Sequence, residues 1–121
     1  MNISFFTSEK QRLADALMQC DRILQQAQKI FGNEKLNLLT SALKVLQDVK
    51  LSPQSFNLVA TLKQKQSSVF HELAVSYEKM NRPADAKSFY KQEEQVKREA
   101  ELIDRFKPEA SDHPARSLRS A

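Results

Sequence analysis

Two histidines, His71 and His113, and one cysteine, Cys20, are the side chains of this 121-residue chain best suited to proton transfer, nucleophilic attack or metal binding. Their spacing does not assemble that chemistry. A thiolate-rich zinc site needs several cysteines, and no His-x-x-x-His or Glu-x-x-His pair places two ligands on one helix face. His71 is followed by Glu72, but neighbours on a helix point about 100° apart and do not act on one atom. Gly32 is the single glycine, so no glycine-rich loop can cradle a phosphate. The acid–base pairings that catalysis requires are absent from the pattern. An enzyme is not expected, nor is a cofactor or a metal. Cys20 falls on an apolar stripe and reads as a small buried hydrophobe rather than a reactive thiol.

Charge raises one other class. The net charge is +4 and the isoelectric point about 9.3, and Lys63, Lys65, Lys79, Arg82, Lys87, Lys91 and Lys97 could build a basic surface. Glu72, Glu78, Asp85, Glu93, Glu94 and Glu99 are interspersed among them, and no aromatic stacking platform accompanies them. Nucleic acid is therefore an unfavoured partner. The start, MNISFF, lacks a basic region and a long apolar run, and no later stretch approaches the roughly 18 apolar residues of a membrane span. With one cysteine and no internal disulfide, a cytoplasmic protein without membrane contact is expected.

The elements that must position these residues are helices. One glycine and four prolines leave little material for hairpin turns, whereas Leu, Ala, Gln, Glu and Lys abound. Ser8 and Gln11 have capping-box spacing, and Leu13, Leu17, Cys20, Leu24, Ala27 and Phe31 follow in steps of four and three. Gly32 is placed to end this first helix in a left-handed conformation, with Asn33 capping the next. The second helix carries Leu36, Leu39, Leu43 and Leu46 beside Leu38, Ala42, Val45 and Val49, a wide apolar arc that predicts a central position. Ser52-Pro53 reads as the cap and first residue of the third. Its apolar positions lapse in KQKQSS, residues 63–68, which fits one helix across a solvated gap, a break near Ser67, or a polar groove. The absence of glycine and proline favours the unbroken helix. Pro83 opens the fourth, which stops before Pro108.

The pattern thus predicts an all-α, four-helix antiparallel arrangement over residues 1–107, with helices at about 8–31, 34–50, 53–80 and 83–106. The Pro- and Ser-rich residues 108–121 are expected to be a disordered tail. Phe5 and Phe6, ahead of the first cap, are expected to staple back on the core.

The last two helices must form a hairpin, since only Asn81 and Arg82 intervene. Along it stand Phe70, Leu73, Ala74 and Tyr77, then Ala86 and Tyr90 across the turn. This order over residues 67–98 resembles a tetratricopeptide repeat, in which small residues let two helices approach while rings fill the flanks. The pattern departs from the family at Glu93, where a small residue is usual, and in the lack of a second copy. A bundle hairpin meeting the same packing needs would give the same order. The resemblance implies peptide binding by the first helix of the hairpin, on which His71, Val75, Glu78 and Lys79 project from the packed stripe. The expected function is an adaptor, assembly subunit or small chaperone that binds another protein's helix or peptide in an apolar groove between the N-terminal helix pair and the hairpin. Self-association, as a homodimer, would be another way to complete an unpaired repeat.

Overall fold

The structure is a computed structural model that describes residues 8–106. Within them the chain is four helices and no strand: α1 Glu9–Ala27, α2 Gly32–Gln47, α3 Phe56–Lys79 and α4 Pro83–Phe106. The expected staple of Phe5 and Phe6 and the expected tail at 108–121 lie outside the described residues.

The Ser8 hydroxyl accepts the Gln11 N–H at 3.0 Å, so the first cap forms where its spacing placed it. The end of α1 differs from the expectation. The helix closes at Ala27, and Lys29 and Ile30 donate to Gln26 and Ala27 in a tightened last turn. Phe31 is thereby dropped from the apolar stripe and stands 85% exposed. Gly32 does take the left-handed conformation, with φ +64°, but it opens α2 instead of closing α1. Asn33 therefore lies inside α2 and is not its cap; Phe31 holds that position without a side-chain bond.

Ser52-Pro53 also plays a different part. The Ser55 N–H donates to the Ser52 carbonyl at 3.0 Å, closing a turn before α3 begins at Phe56. The competing structure there is held by Glu9, whose carboxylate accepts from the Ser52 N–H and the Ser55 hydroxyl. That long-range bond ties the start of α1 to the start of α3, and Asp21 pairs with Lys65 further along both helices. Residue numbers rise together across the pair, so α1 and α3 run parallel.

No break interrupts α3 at Ser67. The polar stretch sits between two neighbours: Lys63 reaches Glu99 on α4 at 2.9 Å, while Lys65 reaches Asp21 on α1. Ser67 is buried and satisfies its hydroxyl on the Gln64 carbonyl at 2.8 Å. The expected solvated gap is thus a place where α3 exchanges apolar contact for ion pairs. It is α3, rather than α2, that packs on all three other helices; α2 lies between α1 and α3. Leu39, Leu46, Leu73, Val69 and Cys20 are the largest of the fully buried side chains in the core.

The α3–α4 turn is a Schellman motif. Asn81 takes φ +61°, its N–H donates to Glu78, and the Arg82 N–H donates to Tyr77 at 2.9 Å. The Arg82 guanidinium then lies 4.8 Å from the centre of the Tyr77 ring, and Pro83 starts α4 as expected. Beyond the turn, Glu78 meets Tyr90, His71 meets Glu93 and Lys63 meets Glu99, so the two helices run antiparallel along their length. Small buried residues recur at seven-residue spacing on both: Ala60, Ser67 and Ala74 on α3, Ala86 and Ala100 on α4. Glu93 occupies the middle position of the second row. This spacing keeps one narrow seam facing the partner helix.

Candidate functional site

The hairpin has two flanks with opposite chemistry. On one, the ring of Phe89 stacks with Tyr77 at 5.4 Å and lies 6.2 Å from Phe70. Phe89, not Tyr90, is therefore the ring of α4 that packs with the predicted Phe70 and Tyr77. Phe70, Leu73, Ala74 and Ala86 are buried, and Tyr77 is half-buried. Beside this aromatic stack opens a groove of about 390 Å³, with Phe70 and Val96 as its apolar part and Lys91, Gln92, Gln95 and Glu99 around it. Among the described residues α4 packs substantially on α3 alone, which leaves this side of α4 uncovered by α1 and α2.

The other flank is polar and carries the residues predicted to bind a partner. His71 Nδ1 donates to Glu93 Oε1 at 3.1 Å, and Tyr90 turns its hydroxyl to Glu78 at 2.8 Å. The Tyr90 ring meets the His71 ring edge-on at 5.8 Å. His71 and Glu78 are thus tied to α4, Val75 is half-buried between them, and Lys79 is exposed. Sequence reasoning did not foresee these cross-helix bonds, because the face on which His71 lies depends on the register of α3 against α4. The seven-residue recurrence of Ala86, Glu93 and Ala100 was the available signal.

Glu93 is the group with the most unusual setting, 9% exposed in a row of alanines. It accepts from His71 and from Lys97 Nζ at 3.2 Å. The result is a hydrogen-bonded tie across the seam, with a half-exposed imidazole on one side and a lysine on the other. Elsewhere, the ammonium of Lys63, with help from the Gln95 amide, holds the Glu99 carboxyl below its ordinary value. The bond to Glu78 raises the Tyr90 hydroxyl. Burial pushes the Cys20 thiol up, which disfavours the reactive thiolate. Among the described residues no group of His, Cys, Asp and Glu is arranged to hold a metal ion, and no helix is long and apolar enough to cross a membrane.

Several cations of the possible basic surface are engaged with acids: Lys63 with Glu99, Lys65 with Asp21, Arg82 with Asp85 and Lys97 with Glu93. No family model matches the chain, and neither the curated proteins nor the solved structures contain a match to it.

Proposed function

We propose that this protein is a non-enzymatic protein-interaction module, an adaptor, assembly subunit or small chaperone of the cytoplasm. It takes a helix or extended peptide of another protein along the uncovered side of α4. The observation that carries this reading is the groove beside Phe70 and Val96, bordered by two amides and by charges of both signs. An apolar floor accepts one or two side chains of a partner, and Gln92 and Gln95 offer donors and acceptors for backbone groups. The likeness of the hairpin to a tetratricopeptide unit supports peptide binding as the class of activity. The engagement of four cations in ion pairs favours a protein over a nucleic acid as the partner.

Under this reading the flank of His71, Val75, Glu78 and Lys79 stabilises the hairpin and lies opposite the bound segment. The test is capture from nuclease-treated native lysate with the wild type and with Gln92→Trp, which fills the groove from an exposed position. A defined protein retained by the wild type and lost with Gln92→Trp is the expected result. Equal capture by both would remove the groove from the account.

A further inference from the structure

The α1–α2 turn presents an aromatic side chain to solvent. Phe31 is 85% exposed, the largest exposure among the big apolar residues described. Its backbone is extended, with φ −135° and ψ 174°, between the last turn of α1 and the left-handed Gly32. Ile30 before it is half-buried, whereas the Phe31 ring stands in solvent. Its chain neighbour Ile30 lines a groove of about 320 Å³ together with Glu34, Asn37 and Leu38. A knob and an apolar hollow therefore adjoin each other on one turn.

We infer that this turn is a self-association surface, on which Phe31 of each copy enters the Ile30–Leu38 groove of a second copy about a two-fold axis. Such an axis requires one patch to be complementary to itself, and the adjoining ring and hollow meet that requirement. Charge meets it too. Lys29 precedes the ring and Glu34 follows it; both are exposed, and among the described residues neither side chain has a hydrogen bond or ion pair. Two-fold pairing reverses the order of the chain across the axis, which sets Lys29 of one copy toward Glu34 of the other, twice. A partner of different sequence would need to supply this same arrangement of ring, hollow and opposite charges. A second copy supplies it automatically. The surface lies on α1 and α2, away from the α4 groove, so the two proposals stand or fall separately.

The experiment is sedimentation equilibrium of the full chain over about two decades of concentration, since self-association follows mass action. The wild type is expected to move from monomer to dimer. Phe31→Ser is expected to weaken dimerisation at least tenfold, as the loss of a central aromatic anchor does. Serine is a favoured residue at a helix N-cap, so this variant keeps its helices and its thermal midpoint. Lys29→Glu should also weaken the dimer, and Lys29→Glu combined with Glu34→Lys should restore it. A wild type monomeric throughout, a dimer indifferent to Phe31→Ser, or a double charge variant no better than Lys29→Glu would each overturn the proposal.

Discussion

Glu93 stands where Ala86 and Ala100 stand one heptad away on either side, and the two substitutions that break its tie to His71 have opposite expected effects. Glu93→Ala completes a row of alanines and removes the cost of keeping a carboxylate out of water. His71→Ala leaves that carboxylate buried with Lys97 as its remaining partner. We expect His71→Ala to lower stability by about 1 kcal/mol, a modest figure because the imidazole is half-exposed, and Glu93→Ala to be neutral or stabilising. Urea unfolding of both variants checks this; a larger loss for Glu93→Ala would contradict it. Glu99 behaves differently. Its folded pKa is depressed, so its bond to Lys63 stabilises the fold above the unfolded carboxylate range and loses effect as pH falls through the folded value. Both side chains keep about a third of their exposure, 28% and 38%, so solvent screens the pair to about 0.5 kcal/mol. Lys63→Met should therefore reduce stability by about that amount at neutral pH and converge with the wild type in acid. An equal deficit at both ends of the titration would assign the loss to packing.

At the scale of elements, the α3–α4 turn is fixed by a single backbone conformation. Asn81 holds φ +61°, which alanine adopts only with strain and glycine adopts freely. Asn81→Ala is expected to cost about 1 kcal/mol in thermal or urea unfolding, whereas Asn81→Gly should leave stability close to wild type. Similar losses for both would mean that the Asn81 side chain, rather than its backbone, matters. This turn was legible in the sequence because Asn-Arg-Pro follows one apolar stripe and precedes another. The four helices were legible for the same reason, and so was the continuity of α3. The helix starts were less so. Ser52-Pro53 has the composition of a cap, but the Glu9 carboxylate, 43 residues away, recruits Ser52 into a turn and delays α3 to Phe56. Phe31 fits the period of α1 yet falls outside it, because the helix closes one turn earlier at backbone bonds that composition does not reveal.

At the scale of the molecule, α3 is the shared wall among the described residues: it packs on α1 and α2 as well as on α4, while α4 packs substantially on α3 alone. That division leaves α4 attached through a narrow seam and creates the Phe70–Val96 groove. The sequence pointed to an apolar groove between the N-terminal helix pair and the hairpin, whereas the groove found is lined by α3 and α4 alone, because its place depends on how α2 and α4 are disposed about α3. His71 and Glu78, singled out from helical periodicity, are instead drawn into bonds with Glu93 and Tyr90 by the register of the seam. The central claim is that the groove side of α4 receives a partner protein. Its most direct test is site-specific photo-crosslinking in native lysate, with the photoreactive residue at Gln95 in one sample and at Lys79, on the opposite flank, in another. The account predicts a discrete protein adduct from Gln95 that survives nuclease treatment and is much weaker from Lys79. An adduct confined to Lys79, or one that disappears with nuclease, would contradict it.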